Sequence, residues 1–345
     1  MGSTTTALIE LCEYVTQALD YKNTSHVNIF CLDLSRASDK LQHYRLLNYL
    51  FACGFNHGFL CWLRSYLCSR SMRVKLMNTY GPVVNIPSGV PQGSVLGPFL
   101  FAAFMGSINF SGVNLKSIKY ADDVTIIESV PRGQVSSVNL DNCISIFNAE
   151  GLIVNRSKCK QLCISRLQLC DSQDCGFTLV DTLKILGFTF TDRYSWCTQI
   201  SHVLKVASQR FHVIRCLKNC LSTPERVQVY HTLITSLFLY ASPVYGQLPS
   251  TLMAKLESFQ KRTHRFICGP ACDCDAFPHL CSRFRDAAVQ ILLRSEANQC
   301  HPLHGLVPER LSATKHFRIP ACVTTRRLNS FFPWASQLYN STLMS

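Results

Sequence analysis

Apolar residues recur at helical spacing over residues 6–19, where Leu8, Ile9, Cys12, Val15 and Leu19 share one face. The next run, Val27–Leu34, is apolar with little interruption and carries Asp33 near its end, which predicts a buried strand. Asp39 stands where it would N-cap a helix bearing Leu41, Leu46, Leu47, Leu50 and Phe51, with Gly54 beyond its end. Met72–Met77 and Val83–Ile86 read as strands around an Asn78–Gly81 turn. Ser88–Pro98, rich in Gly and Pro, predicts a loop that runs into a helix at Phe99–Met105. Ser117–Ile127 reads as two short strands around Ala121-Asp122-Asp123. Val135–Glu150 predicts a helix closed by Gly151, and Lys160–Ser165 and Leu183–Phe190 predict strands. This order of elements predicts an α+β fold, an antiparallel sheet with helices on one face.

After residue 190 the pattern turns helical. His202–Leu217 carries Val203, Val206, Ala207, Phe211, Ile214 and Leu217 at helical spacing. Thr223-Pro224 marks the start of a second helix, since proline suits the first helical position. A third spans Ser250–Cys268, with Leu252, Leu256, Phe259 and Phe266 on one side and Lys255, Lys261, Arg262, His264 and Arg265 on the other. Beyond Pro270 the periodicity weakens, and the last 25 residues are expected to be loosely ordered. The expected division is therefore 1–190, 191–270 and a basic extension over 271–345.

Charge sharpens this division. The net charge is +13, but residues 1–190 hold 16 Lys and Arg against 13 Asp and Glu, whereas residues 191–345 hold 18 against 8. A polyanion would be drawn to the second half. The 19 cysteines are scattered and odd in number, and residues 1–15 lack the basic start and apolar stretch of a secretory leader. Buried thiols in a reduced compartment, nucleus or cytoplasm, are the expectation. Cys268, Cys272, Cys274, Cys281, Cys300, His301 and His304 invite a zinc reading, but their spacings match no defined finger.

Two acidic positions interrupt apolar strands: Asp33, and the pair Asp122-Asp123. A bare buried carboxylate costs several kcal/mol of desolvation, roughly, so such a group needs a partner, and a hard divalent cation is a natural one. If the two strands are neighbours, three carboxylates face one another in an arrangement that suits two-metal nucleotidyl transfer. Taken alone, Asp122-Asp123 reads better as a polar hairpin turn.

The surrounding residues carry more. Cys31-Leu32-Asp33-Leu34-Ser35-Arg36-Ala37-Ser38-Asp39 resembles the first catalytic motif of the reverse transcriptases of non-LTR (LINE-type) retrotransposons. Ser88-Gly89-Val90-Pro91-Gln92-Gly93-Ser94-Val95-Leu96-Gly97-Pro98 is similar to their second motif almost letter for letter. Tyr120-Ala121-Asp122-Asp123 resembles their metal-binding hairpin, and Gly151–Lys160 the motif after it. Leu183-Lys184-Ile185-Leu186-Gly187 resembles their primer grip.

The resemblance implies a right-hand polymerase palm followed by a helical thumb, and RNA-directed DNA polymerase activity on an RNA template with a DNA primer and dNTPs. It implies two Mg²⁺ ions, replaceable by Mn²⁺, on Asp33 and Asp122 with Asp123 assisting. Lys158 matches the position that protonates pyrophosphate. Leu34, Ser38, Gln92 and Gly93 would line the dNTP and template, where a side chain at Gly93 would collide. Lys184 and Gly187 would meet the primer, and Lys255, Lys261, Arg262 and Arg265 would follow the backbone of the duplex. Two departures stand out. Ser38 replaces the family's usual aromatic residue, which blocks a ribose 2′-hydroxyl, so weak discrimination against ribonucleotides is expected. The opening residues resemble the end of the family's fingers, and the expectation is a chain truncated there, without an endonuclease. The alternative that follows is an inactive retrotransposon-derived fragment that still binds nucleic acid through the thumb.

Overall fold

The computed structural model describes residues 2–110, 112, 114–165, 175–269 and 277–343. The periodicity at 6–19 is helix α1 (Thr4–Asp20), with Ser3 as its N-cap. The chain forms two compact units: Ser25–Asp181, and Met1–Thr24 together with Thr182–Ser345. The boundary thus falls earlier than residue 190, and α1 groups with the second half of the chain, not with the residues that follow it.

The Ser25–Asp181 unit is built on a five-stranded sheet. Its strands are β1 (Thr24–Leu32), β2 (Leu115–Tyr120), β3 (Asp123–Pro131), β4 (Lys160–Ser165) and β5 (Thr178–Leu179), in the order β5-β4-β1-β3-β2. β2 and β3 form an antiparallel hairpin, and β1 pairs antiparallel with β4. The short edge strand β5 adds a parallel pair to the antiparallel sheet expected.

Strand alternation sends Phe30, Leu32, Val124 and Ile126 to one side. There they join Leu46 and Leu50 of α2 (His43–Ala52), Leu63 and Leu67 of α3 (His57–Leu67), Leu100 and Phe104 of α4 (Leu96–Ser107), and Leu140 and Phe147 of α5 (Leu140–Ala149) in a single core. Each such side chain contributes on the order of 1.5–3 kcal/mol. This core fixes the strand ends that carry the acidic residues.

Several boundaries differ from expectation for local reasons. Asp39 does not cap α2: it lies in the short helix Ala37–Lys40, and Gln42 precedes α2. The helix expected from Val135 starts at Leu140, because Ser136 and Ser137 turn back to the buried Glu128 carboxylate. Ser136 Oγ, Ser137 N and Ser137 Oγ donate to it at 2.5, 2.7 and 2.5 Å, and Asn139 supplies the cap. The run Met72–Met77 is not one strand. Arg70–Met72 pairs with Val84–Ile86, and Lys75–Leu76 with Thr79–Tyr80 at the tip.

The second unit opens its latter part with a hairpin, β6 (Thr182–Ile185) and β7 (Phe188–Thr191). Helices α6 (Cys197–Cys216), α7 (Thr223–Tyr230), α8 (Ser250–Cys268), α9 (Leu280–Ala297) and α10 (Phe331–Thr342) follow. Ser222 and Glu225 form a capping box on α7, which continues through a π turn, His231–Thr235, into Ser236–Leu239.

The expectation of a loosely ordered end is overturned over the described residues. Phe331, Phe332, Trp334 and Ala335 are buried, and the preceding segment is tied to α1. The Arg327 guanidinium pairs with the buried Glu13 carboxylate, which also accepts from Phe332 N at 3.1 Å. Asp20 accepts from Val323 N at 3.0 Å and from Thr324 N and Oγ at 2.8 and 2.7 Å. Burial works against the Asp20 charge, yet these donors hold its carboxyl below the usual value. Weak periodicity after 270 hid this because the anchors are polar residues, widely spaced and partnered 300 residues away.

Candidate active site

β1 and β3 are neighbours in the sheet, so Asp33, just past the end of β1, lies beside the β2–β3 turn. Tyr120 faces Asp123 across that hairpin, leaving Ala121 and Asp122 as the two-residue turn. Ala121 is left-handed, with φ 53°, a conformation that costs an alanine about 1 kcal/mol. Such strain is retained where the backbone must aim a particular side chain.

Asp123 reports how close the charges are. Desolvation first, then the charges of Asp122 and Asp33, hold its carboxyl above the usual range. Against three carboxylates the described residues set one nearby ammonium: Lys158 Nζ lies 3.6 Å from Asp33 Oδ2. That ion pair is largely exposed and adds about 1 kcal/mol at most. Lys158 is placed by the 3₁₀ turn Arg156–Lys158, and the stretch before it is fixed by Asn155 N, which donates to the Asp33 carbonyl at 2.8 Å. Leu34 and Ser35 pair with Val154 and Ile153. The residues around Asp33 are thus locked to the Gly151–Lys160 segment. Lys119, by contrast, points away from the carboxylates and donates to the Met105 carbonyl at 3.0 Å and to that of Ile108, closing the end of α4.

The Ser88–Pro98 loop is bound to the Ser38–Leu41 backbone. Ser88 Oγ donates to the Asp39 carbonyl at 2.8 Å, Gly89 N to that of Leu41 at 2.8 Å, and Val90 N to that of Ser38 at 3.0 Å. The buried His43 ring meets the Gly89 carbonyl through Nε2 at 2.8 Å. Gln92 Nε2 donates to Asp39 Oδ1 at 2.8 Å, so the carboxamide is held beside Ser38. Sequence reasoning missed Asp39, assigned to a helix cap, together with His43 and Gly89. Only Gly89 had a legible signal, its place in the Gly-rich loop.

The two glycines of this loop differ. At Gly93, φ 76°, a Cβ would meet nothing within 4 Å, so only an added ligand can collide there. At Gly89, φ 85°, a Cβ would come within 2.8 Å of Asp39 Cα, Asp39 O and Ser38 O. Gly89→Ala is expected to cost about 2–4 kcal/mol, from overpacking added to left-handed strain. Gly93→Ala should cost only about 1 kcal/mol, the strain alone. Urea denaturation of both variants checks this, and equal losses would contradict it.

The remaining sequence-derived residues lie in the second unit. Lys184 and Gly187 are exposed on the β6–β7 hairpin. Lys255, Lys261, Arg262 and Arg265 are exposed along α8, while Leu252, Leu256, Phe259 and Ile267 are buried, so the helix is basic on its outer side. Arg262 also lies 5.1 Å from the centroid of the Phe259 ring. Of the Cys/His-rich segment, Cys272 and Cys274 lie outside the described residues. Among the described residues no three His, Cys, Asp or Glu side chains converge in a metal-binding group. No described helix is long and apolar enough to cross a membrane.

A strand-end aspartate beside a hairpin Asp pair, with a Gly-rich loop bonded to the backbone that follows the strand, is the arrangement of a polymerase-type palm. Residues 4–190 match the family described as reverse transcriptase (RNA-dependent DNA polymerase). The chain belongs to the reverse transcriptase family, and its curated relatives are of the non-LTR kind. It is 24% identical over 256 residues to the RNA-directed DNA polymerase from mobile element jockey of Drosophila melanogaster, covering 69% of this chain and 28% of that protein. It is also 24% identical over 285 residues to the probable RNA-directed DNA polymerase from transposon BS of the same organism, covering 77% and 31%. The chain thus spans under a third of the length of these relatives. Among solved structures, a telomerase from Candida tropicalis overlays with a TM-score of 0.43 and 9% identity, over 84% of this chain and 50% of that one.

Proposed function

We propose that the chain catalyses RNA-directed DNA synthesis, joining a dNTP to a primer 3′-hydroxyl on an RNA template. The observation that carries this reading is the placement of Asp33 at the end of β1, beside the Asp122-Asp123 turn, where desolvation and then the charges of Asp122 and Asp33 hold the Asp123 carboxyl above its usual range. An all-oxygen, carboxylate-rich and solvent-accessible set suits Mg²⁺, which shares its coordination with substrate phosphates. Asp33 and Asp122 would hold two such ions, Mn²⁺ serving in their place, with Asp123 assisting. Bound there, the ions supply the charge that activates the primer hydroxyl and stabilises the departing pyrophosphate.

The chain's own groups do the rest. Lys158, beside Asp33, donates a proton to the pyrophosphate oxygen as it leaves. Leu34 and Ser38 border the incoming nucleotide. Gln92, oriented by Asp39, lies against the template and incoming base, and the open space over Gly93 admits them. Lys184 and Gly187 contact the primer. Lys255, Lys261, Arg262 and Arg265 follow the duplex backbone, which gives salt-dependent binding without sequence readout. On this reading Ser25–Asp181 holds the palm and the helices after 191 the thumb.

Primer extension on an RNA template with Mg²⁺ and dNTPs tests the proposal, with Asp122→Ala as control. Extension that survives in the control, or is absent from folded wild-type protein, defeats it. Ser38 carries its own prediction: Ser38→Phe should raise the preference for dNTPs over NTPs by about tenfold or more, the scale of steric rejection in a fitted pocket. Equal discrimination before and after would dismiss that role.

A further inference from the structure

The β6–β7 turn is held from outside the hairpin. Ile185 pairs with Phe188, leaving Leu186 and Gly187 as a two-residue turn, both left-handed at φ 46° and 82°. Two positive φ values give the type I′ turn that matches strand twist. Glycine adopts this readily, whereas a residue as bulky as Leu186 rarely does. Tyr240 braces the turn there. Its hydroxyl donates to the Leu186 carbonyl at 2.6 Å, and a Cβ at Gly187 would stand 3.6 Å from its ring Cε1.

The direction of Tyr240 is itself set by backbone irregularities. It follows the helical stretch that began at Thr223, and between the two lies the π turn His231–Thr235. A π turn inserts one residue, which rotates the side chains beyond it by roughly 100° about the axis. The helix ends at Leu239, Tyr240 leaves it with ψ 119° and stands half-exposed, and Ala241, directly after, is left-handed at φ 50°. Both devices act on the residue that meets the turn.

We infer that Tyr240 is a positioning residue, a strut that fixes the Leu186-Gly187 turn in the geometry that grips the primer strand. This rests on the reading of Lys184 and Gly187 as primer contacts. It deepens that reading by placing the control of grip in a hydroxyl 54 residues away in sequence.

Tyr240→Phe keeps the ring and removes the hydroxyl. The test measures three quantities: backbone amide exchange in the 182–191 hairpin, KM for a recessed RNA–DNA primer–template duplex, and KM for dNTP. A second variant, Tyr230→Phe, removes a buried hydroxyl of the same unit that faces Gln260 and not the turn. Loss of one hydrogen bond predicts hairpin exchange faster by about fivefold to tenfold in Tyr240→Phe, and a similar rise in KM for the duplex. KM for dNTP and the unfolding midpoint should hold, and Tyr230→Phe should leave the duplex KM unchanged. A looser hairpin with an unchanged duplex KM overturns the strut alone. An equal rise in Tyr230→Phe overturns it too, because general loosening would then account for the effect. Wild-type protein that fails to bind the duplex overturns the primer-grip reading and the strut together.

Discussion

Replacement of Asp33 by alanine is expected to lower nucleotide incorporation by about 10³-fold or more, a barrier increase of at least about 4 kcal/mol. The carboxylate has no structural partner that matters: its ion pair with Lys158 is exposed, while its backbone carbonyl, which the substitution retains, makes the bond to Asn155. Fold stability should therefore change little, and removing the Asp33 charge should relieve Asp123. Single-turnover extension beside an unfolding curve separates these effects. Activity within tenfold of wild type would remove Asp33 from the catalytic set. Loss of activity together with collapse of the fold would show that its role is structural.

The second large effect lies in the second unit. Glu13→Ala should destabilise the protein by about 3–5 kcal/mol, because it strands the Arg327 guanidinium in a buried site. Glu13 receives Arg327 and Phe332 N, and Arg327 also reaches Thr16 and Ser330 at 3.2 Å each, so the deletion unbinds α1 and the start of α10 at once. Arg327→Met should cost less, since the apolar stem refills the space and the Glu13 carboxylate keeps its Phe332 N donor. Replacing both charges, Glu13→Leu with Arg327→Met, should recover much of the loss, as expected when two buried charges leave together. Urea unfolding of the three variants checks the order. A double variant worse than Glu13→Ala would refute the account.

Much of the local structure at the candidate site could be read in advance because it depends on short-range patterns. A strand ending in an acid, a two-residue acidic turn and a glycine-rich loop each announce themselves within ten residues. Their meeting needed one further fact, the adjacency of β1 and β3, which strand patterning alone does not supply. Asp39 misled for a physical reason. An aspartate before an apolar helix is a good cap, but here the side-chain amide of Gln92, 53 residues on, competes for the same oxygen. The serines at 136 and 137 shortened a helix in the same way, by bonding a carboxylate on a neighbouring strand. The anchoring of the C-terminal segment escaped notice because no local periodicity encodes an ion pair between residues 13 and 327.

That pair also orders events during synthesis. The Ser25–Asp181 unit is continuous in sequence and can close as soon as its last strand emerges. Helix α1 cannot: Glu13 waits for a guanidinium 314 residues downstream. At ordinary translation speeds this is roughly 15–60 s. Through that interval the apolar face of α1, Leu8, Ile9, Leu11 and Val15, stands without its final cover, so an amphipathic segment stays exposed until the residues around Arg327 have been made.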